Sequence, residues 1–142
     1  MRPGCRWGSN LSLSEYCQVM VSVIRIWADE EGESHLENVD LEFAAENVFP
    51  SAPPLLLTSP QAASGYVFAR ATPGWNADWH PSPTRQLAVY LRGEGTIQAG
   101  DGESRPLRPG TVLLVEDTAG QGHVTKVTGP DEMLVLVVNL PD

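Results

Sequence analysis

The sequence predicts an all-β protein, an antiparallel double-sheet jelly-roll barrel, and three observations predict it. Short runs rich in β-branched and aromatic residues recur along the chain, over residues 19–27, 65–72, 86–91 and 133–138 among others. Glycine and proline, 13 and 12 of the 142 residues, stand between these runs and supply the turns. No long amphipathic helix and no internal repeat interrupts the pattern.

Residues 1–19 mix Gly, Ser and Asn with isolated apolar side chains and read as an N-terminal arm or extension; residues 20–142 read as the single barrel domain. The dense apolar stretch 19–27 predicts a first strand, 29–34 a polar turn at Gly32, and the alternation Val39-Asp40-Leu41-Glu42-Phe43 a second strand. Residues 44–48 suit one helical turn, stopped by Pro50, Pro53 and Pro54. Leu55-Leu56-Leu57 then reads as an extended apolar strip that packs across the barrel or against a partner subunit without full sheet pairing. Residues 65–72 predict a strand with Tyr66, Phe68 and Arg70 on one face and Val67, Ala69 and Ala71 on the other. After the Pro73-Gly74 turn come strands over 86–91, 96–99, 111–115, 124–127 and 133–138, with a hairpin turn at Asp101-Gly102.

Composition narrows the partners. Nine Lys and Arg against eighteen Asp and Glu give a formal charge of −9, which repels nucleic acid and anionic membrane, and no basic patch relieves it. No apolar run approaches the ~18 residues of a spanning helix. Cys5 and Cys17 make no disulfide framework and read as ordinary thiols, so the expected setting is cytoplasmic. The expected partners are a small-molecule ligand and a second copy in a homodimer, with no nucleic acid and no membrane.

Chemistry concentrates between Gly74 and Gly93, where Trp75, Trp79, His80, Arg85 and Gln86 precede an apolar strand. On a strand inside a small barrel such side chains line the interior. His80, Ser82 and Gln86 are evenly spaced and share a face if extended. Trp75 is read as ligand-facing and Trp79 as packing beside His80, while Tyr66, Phe68 and Tyr90 are taken to narrow the same cavity, Tyr90 as a phenolic donor. Arg85 is either a clamp for a substrate carboxylate or a surface ion pair. No phosphate loop and no nucleophile elbow is present.

Gly74, five residues, His80, one residue, Ser82, three residues, Gln86, six residues and Gly93 resemble the first motif of the cupins in spacing. Ser82 stands where that family places a second His and Gln86 where it places Glu, so two of the three usual ligands are changed. His123, after the Pro109-Gly110 turn, resembles the His of the second motif, and Val127 stands in place of its Asn. Trp79-His80-Pro81, Arg85-Gln86 and Glu116-Asp117-Thr118 before Gly122-His123 are similar to a group of small single-domain cupins. The resemblance implies a jelly-roll barrel, homodimerisation, and a pocket where His80, Gln86 and His123 converge.

Two chemistries remain open for that set. His80, Gln86 and His123 could bind one divalent transition metal (iron, manganese, nickel or zinc), with Asp78, Glu116 or Asp117 as a supplementary carboxylate. With no cofactor, the imidazoles act as acid and base, assisted by Gln86 and Tyr90. The expected function is an enzyme of oxygenase, isomerase or cyclase type acting on a small carbonyl- or carboxylate-bearing molecule. A non-catalytic ligand-binding or sensor protein and a structural homodimer are the alternatives.

Overall fold

In the computed structural model, Ser12 and residues 20–142 are described, and they form twelve strands. The predicted arm, with Cys5 and Cys17, lies outside the described residues but for Ser12. Two compact units are present, one built on Asp40–Pro60, the other on Ser22–Val39 with Gln61–Asp142.

The smaller unit holds β3 (Ala44–Glu46) and β4 (Leu55–Leu57), which pair antiparallel with Ala45 opposite Leu56. The helical turn expected at 44–48 is therefore a strand, and Leu55-Leu56-Leu57 pairs where no full pairing was expected. Helix-favouring Ala and Glu decide little over three residues, because a helix of one turn does not repay its nucleation cost whereas a paired strand satisfies its backbone.

The larger unit contains β1 (Val21–Ala28) from Ser22 on, β2 (Ser34–Leu41) as far as Val39, β5 (Gly65–Ala71), β6 (Asn76–His80), β7 (Gln86–Arg92), β8 (Gly95–Gln98), β9 (Ser104–Leu107), β10 (Val112–Val115), β11 (His123–Val127) and β12 (Met133–Asn139). These make a six-stranded sheet, β2-β1-β10-β7-β12-β5, and a four-stranded sheet, β6-β11-β8-β9. The architecture is the all-β, double-sheet jelly roll that the sequence predicts. One pairing departs from the antiparallel expectation: β1 lies parallel to β10, with Arg25 beside Leu114. A parallel neighbour needs a long crossover, and nearly the whole barrel intervenes between these two strands in sequence.

Alternation along the strands builds the core. Ala88 and Tyr90 of β7, Ile97 of β8, Leu107 of β9, Leu113 and Val115 of β10 and Met133 of β12 are all buried together with Ile26. Each large aliphatic side chain so enclosed contributes about 1.5–3 kcal/mol relative to exposure. The turn at Asp101-Gly102 closes β8 onto β9 as expected, with Gly102 at φ 93° and the Asp101 carboxylate accepting from the Glu103 amide at 2.9 Å. His35 is bracketed by Asp29 at 2.7 Å and Asp101 at 3.0 Å and lies 5.0 Å from the Trp27 ring.

Candidate functional site

His80 ends β6 and His123 begins β11, and the antiparallel pairing of these strands sets the two residues directly opposite one another. Their rings stand 4.7 Å apart between centroids. Gly122 makes this approach possible. It sits at φ 78° against the His80 carbonyl and the Pro81 nitrogen, where a Cβ would overlap the His80 backbone.

Both imidazoles are held by Nδ1. His80 Nδ1 is 2.6 Å from the Asp78 carbonyl oxygen, and His123 Nδ1 is 2.6 Å from Asp117 Oδ2. A carbonyl oxygen only accepts, so His80 Nδ1 carries a hydrogen and donates it, and the contact of His123 Nδ1 with the Asp117 carboxylate assigns the same role to that nitrogen. In the neutral form of each ring Nε2 is then the lone-pair nitrogen, available to a base reaction or a cation.

Asp117 was considered in sequence only as a supplementary metal ligand; the structure puts it behind His123. It is completely buried, and its second oxygen, Oδ1, has no hydrogen-bond partner. Such an oxygen costs about 1–3 kcal/mol, more when charged. The loops holding this pair are tied together, since the Ser82 amide donates to the Asp117 carbonyl oxygen at 3.0 Å.

A cavity of about 270 Å³ opens beside the pair, lined among others by Trp75, His80, Ser82, Gln86, Tyr90 and His123. Its remaining wall includes Ala69, Ala71 and Ala88, whose short side chains leave the space vacant, and Val135, Val137 and Met133 keep it apolar. The volume lies at the small end of ligand pockets and suits a compact molecule. Ser82 spends its hydroxyl on the Thr84 carbonyl at 2.7 Å, and the Gln86 amide donates to Asn139 Oδ1 at 3.2 Å. Burial pushes the Tyr90 hydroxyl well above the usual phenol range, so it remains a hydrogen-bond donor.

Three residues expected at the ligand stand elsewhere. Tyr66 and Phe68 project from the outer face of β5, away from the cavity wall that Ala69 and Ala71 supply, and both are exposed. The register with the neighbouring strand of the same sheet sets this: Ala69 and Val67 stand beside Val135 and Val137 of β12, whose side chains face the cavity, while Phe68 and Tyr66 stand beside Leu136 and Val138 on the other face. Arg85 is absent from the cavity wall, its Nε donating to Glu116 at 2.8 Å and its Nη1 to the Pro141 carbonyl at 2.9 Å. Glu116 also accepts from Arg25 at 2.6 Å. Burial works to raise the Glu116 carboxyl, but the hydrogen bonds and charges of Arg25 and Arg85 prevail and hold it below its ordinary value.

The remaining carboxylate considered, Asp78, accepts from the Trp79 amide at 2.9 Å. None of the three therefore completes a metal set, and among the described residues no group of three or more His, Cys, Asp or Glu side chains could hold a metal ion. His80 and His123 offer two imidazole nitrogens; Gln86 offers only a neutral oxygen, 3.5 Å from the Ser82 hydroxyl. The protein donor set falls short of the three ligands usual for a catalytic metal. Asn139, which orients Gln86, was missed in sequence because it lies more than fifty residues away, at the end of β12.

The fold and site together define a small double-sheet jelly-roll protein with a His-Asp pair beside its cavity. No protein-family model matches the chain, and no curated protein matches it. Among solved structures it is similar to a Cupin 2 conserved barrel domain protein from Salinispora arenicola, at 15% identity over 71% of this chain and 76% of that one, with a TM-score of 0.48. It is also similar to the Cnp3 cupin domain of Schizosaccharomyces pombe, at 11% identity over 90% and 88% of the two chains and a TM-score of 0.41. A conserved protein of unknown function from Streptococcus pyogenes matches at 21% identity over 60% and 71%, with a TM-score of 0.43.

Proposed function

We propose that the barrel houses an acid–base enzyme for a small carbonyl- or carboxylate-bearing molecule, of isomerase or cyclase type. The observation that carries this reading is the pair of facing imidazoles beside the cavity, each with Nδ1 occupied and Nε2 left over, one of them backed by a buried carboxylate. An orphaned carboxylate oxygen in the interior is a stability cost that function can explain, and Asp117 stabilises the imidazolium that forms when His123 takes a proton.

In this reading His123 Nε2 removes a proton from carbon next to the substrate carbonyl. The Tyr90 O–H, kept protonated by burial, donates to the oxygen on which charge develops, and the Gln86 amide helps to orient it. His80 is the second imidazole, relaying the proton to its new position. Trp75 supplies an aromatic wall. A cytoplasmic setting belongs to the same reading, supported by a composition with only two cysteines.

The test is proton exchange in D2O. Small 2-oxo acids, 3-oxo acids and hydroxyketones are incubated with the protein, and loss of the C–H signal beside the carbonyl is followed by NMR. Exchange with at least one class, falling about 100-fold or more in His123→Ala, is the expected result. Binding of these molecules without exchange would make the protein a ligand-binding or sensor module instead.

A second reading has its own support. An Nδ1 bound to a carboxylate or carbonyl is also how metal-ligating histidines are oriented. A divalent transition metal would then be held by His80 and His123, with Gln86 turning its oxygen inward, and would supply Lewis-acid polarisation of a substrate oxygen.

A further inference from the structure

We infer that the cavity selects an uncharged ligand, a compact carbonyl compound with a short alkyl tail and no ionised carboxylate. This rests on the acid–base reading of the site and narrows its substrate class to neutral carbonyl compounds.

Charge decides the matter. A carboxylate that leaves water for an enclosed site needs a guanidinium, an ammonium or the amides of a helix N-terminus to replace its hydration. Among the described residues there is no helix, and so no helix N-terminus. Two arginines border the site, and both are engaged elsewhere. Arg70 belongs to the cavity wall, yet its Nε and Nη2 donate to Glu132 Oε2 at 3.1 and 2.7 Å and its side chain is 71% exposed. On the pleated β5 it points away from the face of Ala69 and Ala71. Arg85, next to Gln86, donates to Glu116 and to the Pro141 carbonyl. The charge that does reach the cavity has the wrong sign for an anion: the fully buried Asp117 carboxylate stands 2.6 Å behind His123 Nδ1.

The proton transfer leads to the same conclusion. As the C–H bond breaks, the proton forms an N–H bond at His123 Nε2 and the bonding pair becomes an enolate with its charge on the carbonyl oxygen. With a neutral substrate the site carries the single negative charge of Asp117 beforehand; afterwards the imidazolium offsets one of two, so the net charge is unchanged. A substrate carboxylate would add a further negative charge at both stages, in a site of low dielectric.

The remaining wall sets the tail. Ala69, Ala88, Leu113, Val115, Val135 and Val137 present hydrocarbon to the cavity. At about 30 Å³ for each water-sized group, the cavity of about 270 Å³ holds roughly nine non-hydrogen atoms. The Tyr90 hydroxyl donates to a neutral oxygen with no need of a counter-ion.

The experiment titrates matched pairs into the full chain in D2O, each pair a 2-oxo acid and its primary amide, alike in shape but not in charge. The pairs are pyruvate with pyruvamide, and 4-methyl-2-oxopentanoate with 4-methyl-2-oxopentanamide. Shifts of the His80 and His123 ring signals give Kd, and loss of the C–H signal beside the ketone gives exchange, so occupancy and chemistry are read separately. Each amide should bind ~10-fold or more tightly than its acid, and the branched amide ~10-fold or more tightly than pyruvamide. In Asp117→Asn, which removes the buried negative charge, the gap between acid and amide should narrow by ~3-fold or more. An acid bound within ~3-fold of its amide in the parent chain overturns the inference; if that acid also exchanges after chelation, the acid–base reading survives without it. Amides bound with the expected preference but never exchanged leave the selection standing and overturn the acid–base reading. No ring shift with either amide up to ~50 mM overturns the inference itself.

Discussion

Replacing Asp117 by asparagine separates the role of this residue in positioning His123 from any role in holding the fold. The native contact is a 2.6 Å hydrogen bond from His123 Nδ1 to a fully buried carboxylate. A bond to a charged partner contributes about 1.5–3 kcal/mol and a neutral one about 1, so asparagine lowers the preference for the Nδ1–H form by ~1–2 kcal/mol, a factor of roughly 5–30. Asparagine puts an amide NH2 where Oδ1 has no partner, so a buried unpartnered oxygen is exchanged for a buried unpartnered donor, and overall stability falls by about the ~1–2 kcal/mol of the weakened bond. Long-range proton–nitrogen NMR of the histidine rings reads the tautomer directly, and urea denaturation reads the stability. The expected result is a mixed tautomer for His123 in Asp117→Asn, further shifted in Asp117→Ala, with His80 unchanged. Retention of a pure Nδ1–H tautomer in Asp117→Ala would refute the reasoning, since nothing would then connect the carboxylate to the state of the ring.

Three further outcomes follow from the same geometry. Gly122→Ala forces a side chain into the left-handed region and against the His80 backbone, so it should cost about 1–3 kcal/mol in urea denaturation and shift the NMR signals of both histidines. His35 is raised above its ordinary value of 6.5, chiefly by its hydrogen bond to Asp29, which outweighs the opposing effect of burial, and further by its hydrogen bond to Asp101. Its contribution is therefore complete below pH 6.5 and lost as pH rises through the higher folded value, while Asp29 and Asp101, both lowered from 3.8, lose theirs only in acid. The stability difference between the parent and His35→Gln should be largest near pH ~5–6 and shrink towards pH ~8 in urea titrations at each pH. Tyr90→Phe should leave unchanged the phenolate absorbance that appears near pH ~10, because burial keeps the Tyr90 hydroxyl protonated there.

The strands of the barrel were legible where burial on one face imposes alternation. β7, with Ala88 and Tyr90 inward, and β10, with Leu113 and Val115 inward, show it plainly. For β5 the alternation is equally clear but its sense is not: sequence separates Tyr66 and Phe68 from Val67 and Ala69 without saying which set faces the barrel, and aromatic bulk suggests the wrong one as cavity wall. The cavity exists for the opposite reason, because alanines line it. β3 was misread as a helical turn since three residues carry no period, and the parallel placement of β1 beside β10 depends on contacts remote in sequence.

The site divides in the same way. The proximity of His80 and His123 could be expected from the motif resemblance, and the turn at Gly122 delivers it. The function of Asp117 could not be read from its spacing, because a loop bearing Gly120 and Gly122 brings it back onto a residue six positions later. Arg85 and Glu116 were both candidates for the pocket and instead neutralise each other outside it, joined by Arg25 from β1. Spacing places side chains on faces; only the closed barrel selects which charges are paired off and which are left to the cavity.

The measurement that bears most directly on the acid–base account is deuterium exchange of the active carbonyl compound by freshly purified protein, before and after exhaustive chelation, with elemental analysis of the same samples. The account predicts that exchange persists after chelation, with metal far below one equivalent, and is lost in His123→Ala, the variant that lacks the base. One equivalent of a transition metal, absent from both His80→Ala and His123→Ala, together with exchange that disappears on chelation and returns on reconstitution, would contradict it and establish the two imidazoles as metal ligands.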